Sequence, residues 1–163
     1  AGWAGRGAGR GPGARGADGG AEGETSAAAT VNGTFLDTTT SNGEVERLRE
    51  LRTVGPSAQR VSYLEHEWTV DVSAGAAVIF HVRAWQEPST DGDNFRFSWS
   101  GDGVTFQPMM TVTATADPGT YRVFSLPAGT AGVVHVRVED TDRTPGNDDR
   151  DRLYVEHLFV RSF

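Results

Sequence analysis

The chain has 163 residues and a net charge of −7, and it is long enough for one domain with a hydrophobic core. All fifteen basic residues are arginines scattered among the acidic residues, so the sequence shows no basic stripe of the kind that binds nucleic acid. The absence of cysteine excludes disulfides, zinc–thiolate sites and a thiol nucleophile, and no apolar run is long enough to predict a membrane span.

Glycine dominates the N-terminal segment, with ten glycines in the first 23 residues. Such a composition is typical of a flexible tail or linker, and the spacing lacks the strict Gly-X-Y repeat of collagen. We therefore predict a Gly-rich tail or linker over residues 1–30 and one domain over residues 31–163. The chain begins at Ala1 without an initiator Met or a signal peptide, which predicts a matured, exported product that acts outside the cell or at its surface.

Short runs of alternating apolar and polar residues follow from residue 63 onward, separated by Gly, Pro, Ser and Asp. This period of two is the signature of antiparallel strands with one buried face. We predict seven strands, over residues 63–72, 76–85, 94–100, 104–112, 120–126, 133–139 and 153–160. The pattern favours an all-β fold, an antiparallel β-sandwich of jelly-roll-like form preceded by an extended Gly-rich N-terminal segment.

Two acidic loops are the candidate metal site, one between the second and third predicted strands and one between the sixth and seventh. If consecutive strands run up and down, these loops share one end of the sandwich, and Asp37, Glu44 and Glu46 reach that end as well. Oxygen ligands without cysteine or paired histidines suit a hard cation, and Ca²⁺ tolerates irregular loops better than Mg²⁺. The alternative is a solvated loop in which Asp and Asn form turns. The predicted calcium ligands are Asp91, Asp93, Asp140, Asp142, Asn147, Asp149 and Asp151.

Three stretches carry a family resemblance: EHEWTVDVSAGAAVIFHVRAW from residue 65, DGDNFRFSWSGDG from residue 91 and FSLPAGTAGVVHVRVEDTDRTPGNDDRDRLYVEHLFVRS from residue 124. They resemble the β-sandwich modules at the ends of secreted bacterial hydrolases and surface proteins, of the pre-peptidase C-terminal type and, more loosely, the jelly-roll carbohydrate-binding modules. The resemblance spans residues 33–162. It implies a non-catalytic accessory role with a structural calcium held at Asp93, Asp142 and Asp151. The long Gly-rich leader departs from the pattern of these modules.

An exposed aromatic side chain with polar neighbours is what a sugar ring needs for binding. Alternation along residues 76–85 leaves His81, Arg83 and Trp85 on the outer face of the second predicted strand, whereas Trp68 in the first strand faces the core. Trp85 also lies beside the acidic loops, so we predict that it is the platform for a ligand, with Arg83 and His81 next to it. The alternative is that Trp85 caps an edge of the core.

The region before residue 42 suggests a second role, because residues 27–41 are β-prone and Trp3 is an aromatic residue in a Gly-rich leader. If this region packs into a neighbouring copy through Trp3, Val31 and Phe35, the chain becomes a homo-oligomer or polymer, since a head-to-tail contact that does not close generates a filament. The alternative is that residues 31–41 form an ordinary first strand of their own sandwich.

Catalytic motifs such as HExxH, G-x-S-x-G and the P-loop do not occur in the sequence. His66 lies beside Glu65 and Glu67, and His157 beside Glu156, which favours histidines satisfied by neighbouring carboxylates over a catalytic pair. The favoured hypothesis is a non-catalytic, extracellular, calcium-stabilised subunit that self-assembles through its N-terminal segment. The alternative is a carbohydrate-binding or adhesion module with a polysaccharide partner, and an enzyme is the third hypothesis.

Overall fold

A computed structural model describes residues 16 to 163, and the regular secondary structure of this part of the chain is almost wholly β-strand. Two short 3₁₀ helices, Phe35–Thr38 and Ser57–Gln59, are the helical elements of residues 16–163, and neither is long enough to cross a membrane. The strands are β1 (Ala17–Ala28), β2 (Thr30–Asn32), β3 (Glu46–Arg49), β4 (Leu51–Arg52), β5 (Ser62–Tyr63), β6 (Glu65–Val72), β7 (Val78–Gln86), β8 (Phe95–Ser100), β9 (Gln107–Val112), β10 (Arg122–Leu126), β11 (Gly132–Asp140) and β12 (Arg152–Ser162).

Two antiparallel sheets face each other and form a jelly-roll-like β-sandwich, which confirms the predicted fold class. Sheet I runs β10-β7-β12, and the far edge of β12 pairs with β3 and with the first residues of β1; β2 follows β3. Sheet II runs β1-β6-β11-β8-β9. Strand β1 therefore belongs to both sheets, because it pairs with β12 over residues 17–20 and with β6 over residues 21–28.

The core lies between the sheets and follows from the alternation of apolar residues along the strands. Every second residue of β7 is buried, and β6 and β11 alternate in the same way over most of their length. Trp68 stacks on Phe97 with ring centroids 5.9 Å apart, and Phe80 contacts the same ring at 6.1 Å. Burying each such side chain contributes about 1.5–3 kcal/mol, so the three rings together hold the two sheets against each other.

Strand β1 lies where composition predicts a tail, so the sandwich begins before residue 31. Glycine has a steric role in this strand. At Gly19 the strand passes so close to β6 that a Cβ atom would collide with the backbone carbonyl oxygen of Asp71. Glycine here permits a close approach between two strands, and such a use of glycine cannot be told from a flexible linker by composition alone.

Two residues of the predicted assembly segment contact their own domain instead. Val31 lies in β2 opposite Leu48 of β3, and Phe35 in the first 3₁₀ helix also packs against the core. This segment completes the sheet of its own chain, so the filament prediction for Val31 and Phe35 is not supported. Trp3, the third predicted assembly residue, lies outside the described residues.

Candidate functional site

Aromatic side chains cover the outer face of sheet I, the face turned away from the core. They project from β7 and β12 and from the residue before β10, and all except Phe159 are partly exposed. We call this set the aromatic face, and its members are His81, Trp85, Tyr121, Tyr154, His157 and Phe159.

At one end of the aromatic face, Trp85 and Tyr154 form a stacked pair. They lie directly opposite each other on β7 and β12, with ring centroids 5.5 Å apart and an angle of 7° between the ring planes. The Tyr154 hydroxyl donates to Glu87 Oε1 at 3.0 Å, and Arg152 Nη1 donates to the same oxygen at 2.7 Å. The stacked pair is thereby held beside a charged hydrogen-bonding group.

At the other end, His81 stacks on Phe159 with centroids 4.5 Å apart and an interplanar angle of 3°. His157 packs against the same phenyl ring at 4.7 Å, and its Nδ1 is 2.7 Å from the Tyr121 hydroxyl. Burial lowers the pKa of both histidines, because the charged imidazolium loses solvation. Both rings are therefore neutral at pH 7 and contribute apolar surface.

Between the two ends lies Arg83, which is fixed by carboxylates on either side. Its Nε donates to Asp117 Oδ1 at 2.8 Å, and its Nη1 is 3.3 Å from Glu156 Oε2. The predicted ligand residues Trp85, Arg83 and His81 thus project from one face at alternate positions of β7. From Trp85 to His81 the strand advances about 13 Å, enough for an extended ligand to contact both ends.

A groove rich in arginine continues the aromatic face across β12 to β3 and β2. Its volume is about 250 Å³, and its lining comprises Thr30, Asn32, Arg47, Arg49 and Arg152. Arg47 lies opposite Tyr154 and donates to Asn32 Oδ1 at 3.1 Å, while the Nε of Arg49 is buried without a hydrogen-bond partner. Among residues 16–163, no carboxylate lies within ion-pair distance of Arg47 or Arg49. We call this surface the arginine groove.

Sequence reasoning found the β7 half of this surface and missed the rest. The same alternation that pointed to Trp85 also directs Arg152 and Tyr154 outward, and it directs Arg47 and Arg49 outward in the run ERLRE. Up to Val155, the even-numbered residues of β12 face outward. Beyond it the odd-numbered residues face outward, because a register shift between Val155 and His157 reverses the alternation. Such a bulge has no sequence signal in this strand.

The two acidic loops meet at one end of the sandwich, as the strand count predicts. Thr141 donates through its backbone N–H to Asp93 Oδ1 at 2.9 Å, and Asn94 N donates to Thr141 Oγ1 at 3.0 Å. Thr90 also hydrogen-bonds Asp149 across the loops. The loops are therefore joined by direct hydrogen bonds between residues 47 to 59 positions apart.

Four carboxylates converge at this junction, and we call Glu50, Asp91, Asp93 and Asp151 the acidic cluster. Glu50 is 0% exposed, Asp93 2% and Asp151 6%. Each of the four carries one buried oxygen without a hydrogen-bond partner: Glu50 Oε1, Asp91 Oδ2, Asp93 Oδ2 and Asp151 Oδ2. Buried carboxylate oxygens without hydrogen-bond partners are the kind of donor that suits a hard cation.

The pKa values of two carboxylates in the acidic cluster are raised by burial and by their acidic neighbours. Burial, together with Asp93 and Asp151, raises the pKa of Glu50 to about 9. Burial, together with Asp91 and Asp93, also raises the pKa of Asp151. In the absence of a cation, the folded protein therefore retains a proton in the acidic cluster at neutral pH.

The structure brings together only some of the predicted calcium ligands. Asp91, Asp93 and Asp151 belong to the acidic cluster. Asp140 also offers an oxygen within 4.8 Å of Glu50 and Asp93, but Arg143 Nη2 forms an ion pair with Asp140 Oδ1 at 2.8 Å. Three others do not join the cluster. Asn147 and Thr144 donate hydrogen bonds to Asp142, which lowers the pKa of Asp142 in an exposed turn, and Asp149 is exposed. The predicted ligands Asp142, Asn147 and Asp149 therefore form or flank this turn and contribute no buried oxygen to the acidic cluster.

Glu50 was missed because it lies far upstream of both loops, immediately after β3, and only the fold brings it there. The three upstream acids that were considered lie elsewhere. Asp37 caps the first 3₁₀ helix through the Thr34 backbone N–H, and Glu44 is exposed. Glu46 is buried between the sheets beside His66.

His66 does not contact Glu65 or Glu67 as its sequence neighbourhood suggested. It faces inward, where its Nε2 is 3.4 Å from Glu24 Oε2 and 3.3 Å from Glu46 Oε1. Burial and Glu46 raise the pKa of Glu24 to about 8. These three residues form a second buried polar cluster, separate from the acidic cluster.

Comparisons with known proteins return structural neighbours only. No protein-family model and no curated protein matches the sequence. Among solved structures, the chain is similar to a variant of the family 29 carbohydrate-binding module CBM29-2 complexed with mannohexaose, with 11% identity and a TM-score of 0.46 over 91% of this chain and 93% of that chain. It is also similar to the module CBM6cm-2 from Cellvibrio mixtus lichenase 5A in complex with cellotriose, with 14% identity and a TM-score of 0.42 over 90% and 97%.

A third neighbour is the xylan-binding domain from CBM 22, with 18% identity and a TM-score of 0.44 over 93% of this chain and 96% of that chain. Carbohydrate-binding modules, one of the two groups that the sequence resembles, are therefore among the structural neighbours. At these identities the similarity concerns the fold alone.

Proposed function

We propose that the protein binds a glycan on the outer face of sheet I. The observation that carries the proposal is the stacked, partly exposed Trp85–Tyr154 pair, which lies beside the arginine groove. Aromatic rings offer a flat apolar surface to the C–H face of a sugar, while charged and amide groups beside them bind its hydroxyls. Arg152, Glu87 and Asn32 supply such groups within the same surface.

The arginine groove indicates the class of glycan. Arg47 and Arg49 have no carboxylate partner among residues 16–163, although the chain as a whole carries a net charge of −7. Two arginines without carboxylate partners attract an anionic group, and the guanidinium fork matches a carboxylate or a sulfate. The proposed ligand is therefore a glycan with uronic acid or sulfate groups.

A calcium ion completes the proposal as a structural cofactor. Glu50, Asp91, Asp93 and Asp151 supply the carboxylate oxygens that lack other partners, and Ca²⁺ accepts six to eight oxygen ligands, with water filling the remaining positions. Its contribution is to neutralise the buried carboxylates and so to lock the two acidic loops to the end of β3. The module acts outside the cell or at its surface in this proposal.

The direct test of glycan binding is a panel of neutral, uronic-acid and sulfated polysaccharides in affinity electrophoresis. The wild-type chain is expected to be retarded by at least one anionic polysaccharide. Trp85→Ala is expected to lose about 5- to 12-fold in affinity, since a stacking contact with an aromatic ring contributes on the order of 1–1.5 kcal/mol. Phe106→Ala is the matched control, because Phe106 packs under Arg137, a residue of the outer face of sheet II. Retardation by no polysaccharide, or equal retardation of Trp85→Ala and wild type, contradicts the proposal.

A matched pair of aspartate variants tests the calcium site. Asp93→Asn removes a carboxylate of the acidic cluster, whereas Asp142→Asn alters an exposed turn that is hydrogen-bonded within itself. Calcium at one hundred times its Kd stabilises the folded state by about 2.7 kcal/mol, so the wild type is expected to melt several degrees higher with calcium than with chelator. Asp93→Asn should lose most of that shift, and Asp142→Asn should retain it. The opposite pattern would place the ion in the turn.

A further inference from the structure

A buried polar cluster joins the two sheets on the inside of the sandwich, away from the aromatic face and the acidic loops. Glu24 on β1 and His66 on β6 belong to sheet II, whereas Glu46 on β3 belongs to sheet I. The side chains of His66 and Glu46 are 0% exposed, and that of Glu24 is 24% exposed. Three side chains from three strands thus reach a single point between the sheets.

The atoms that meet at this point have no other partner. His66 Nε2, Glu46 Oε1 and Glu24 Oε2 are all buried, and none of them makes a hydrogen bond. Buried polar atoms in folded proteins are almost always satisfied, so three that face one another indicate a missing positive charge. We propose that Glu24, Glu46 and His66 bind a divalent transition-metal ion, with Zn²⁺ the best fit.

The distances match such an ion. A tetrahedral zinc site with bonds of about 2.0–2.1 Å separates neighbouring ligand atoms by about 3.3–3.4 Å. His66 Nε2 lies 3.3 Å from Glu46 Oε1 and 3.4 Å from Glu24 Oε2. Both distances from the imidazole nitrogen therefore equal a ligand–ligand distance, and all three atoms lie within 4.8 Å of one another.

Trp68 orients one of the proposed ligands and packs against another. Trp68 Nε1 donates to Glu46 Oε2 at 2.8 Å, which directs the other oxygen of that carboxylate toward His66. Trp68 also holds the imidazole edge-on, with centroids 4.6 Å apart. Such outer contacts fix ligand geometry in metal sites. Glu24, the partly exposed ligand, gives the ion a path from solvent. Three protein ligands leave the fourth coordination position for water.

The chemistry of the ligands separates this site from the acidic cluster. Imidazole nitrogen suits zinc and other transition metals, whereas calcium prefers oxygen ligands alone. Zinc bound here would join β3 of sheet I to β1 and β6 of sheet II. Its role is a cross-sheet staple in a chain that has no cysteine and therefore no disulfide.

Zinc titration of the full chain, stripped of metal with a chelator and then dialysed, tests the proposal. We expect one zinc ion per chain in competition with a chromophoric chelator, and a shift of the Trp68 indole N–H signal in ¹⁵N spectra. Asp93→Asn should bind zinc as the wild type does, since it belongs to the acidic cluster. His66→Gln should weaken zinc binding about 100-fold or more, because removal of even an outer-shell partner costs about 10–100-fold.

A surface pair of the same chemistry is the control. His135 Nδ1 lies 2.6 Å from Glu67 Oε1 on the outer face of sheet II, so His135→Gln removes a histidine–carboxylate pair that is not in the cluster. Zinc binding that is lost with His135→Gln and kept with His66→Gln overturns the proposal, as does the absence of zinc binding by the wild type. If His66→Gln does not fold, Glu24→Gln serves in its place, because Glu24 is the partly exposed ligand and its loss should weaken binding by a similar factor.

Discussion

Metal-free protein is expected to lose stability as the pH rises from about 7 to 9, above the range in which the lowered pKa values of His81 and His157 act in the opposite direction. The pKa of Glu50 is raised to about 9 and that of Glu24 to about 8, both from an ordinary value of 4.5. Between those values the folded state keeps protons that the unfolded chain releases, so the free energy of unfolding falls with pH. The stabilising contribution is complete below about pH 4.5 and is lost once the pH has passed through the folded pKa values.

The size of this effect is large for a single group. One retained proton gives a slope of about 1.4 kcal/mol per pH unit, which is a few degrees of melting temperature per pH unit in a domain of this length. Thermal unfolding followed by circular dichroism, in chelator, from pH 7 to 9 measures the slope. Calcium is expected to flatten the part due to Glu50, because the ion replaces the proton in the acidic cluster.

Single variants separate the two carboxylates. Glu50→Gln should reduce the slope and abolish the calcium effect together, whereas Glu24→Gln should reduce the slope and leave the calcium effect intact. A melting temperature that is constant from pH 7 to 9 in chelator would show that neither carboxylate retains its proton. A calcium effect that is equal at pH 5 and pH 9 would show that the ion does not bind at Glu50.

The second large effect concerns the arginine groove. Replacing Arg47 and Arg49 together by Gln should lower the affinity for a uronic-acid oligosaccharide by about 10- to 100-fold at low salt, because hydrogen bonds to charged groups contribute about 1.5–3 kcal/mol. The physical reason is that neither guanidinium group has a carboxylate partner among residues 16–163, so no ion pair neutralises their charge there, although Arg47 donates to the Asn32 amide oxygen. Isothermal titration at several salt concentrations measures both the affinity and its dependence on ionic strength.

The control for this double variant is Arg96→Gln. Arg96 is 47% exposed at its side chain on sheet II, 3.7 Å from Glu139, and therefore tests a loss of positive charge elsewhere on the surface. Added salt should weaken wild-type binding and leave the double variant unchanged, because screening acts on the charged contacts. Equal affinity of the wild type and the double variant for the anionic ligand would show that the arginine groove does not bind the glycan. The Trp85–Tyr154 pair would then be a candidate site for a neutral glycan only.

The strands with alternating sequences could be predicted with their faces. Trp68 faces the core and Trp85 faces outward, as the period of two requires, and the acidic loops meet because alternate connections share an end. These features are local, or follow from strand count, so one sequence is sufficient. The part of the fold that alternation describes is the part from residue 63 onward.

The elements that were missed depend on contacts between distant residues. Strand β1 is rich in glycine because Gly19 must pass close to Asp71, a requirement that composition presents as flexibility. The sequence is compatible with Val31 in its own sandwich or in a neighbouring copy, because nothing in its own segment shows that Leu48 lies beside it. Strands β2 and β3 have too few residues for periodicity to identify them as strands, although alternation gives the faces of β3 once its pairing with β12 is known.

Each candidate site also combines residues that the sequence predicts with residues that only the fold brings to the site. Trp85 could be found from its own strand, but Tyr154 joins it only through the pairing of β7 with β12. Asp93 and Asp151 could be found from their loops, whereas Glu50 reaches them from the end of β3. A site assembled from several strands is visible in sequence only where each of its residues lies in a recognisable pattern.

The measurement that tests glycan binding most directly is a ¹⁵N titration of the tryptophan indole N–H signals with an oligosaccharide of uronic acid. The Trp85 signal, assigned by its loss in Trp85→Phe, is expected to shift in a saturable way, while the Trp68 signal stays in place because that indole is buried and bonded to Glu46. A Trp85 signal that does not move while the oligosaccharide binds would contradict the outer face of sheet I as the binding surface.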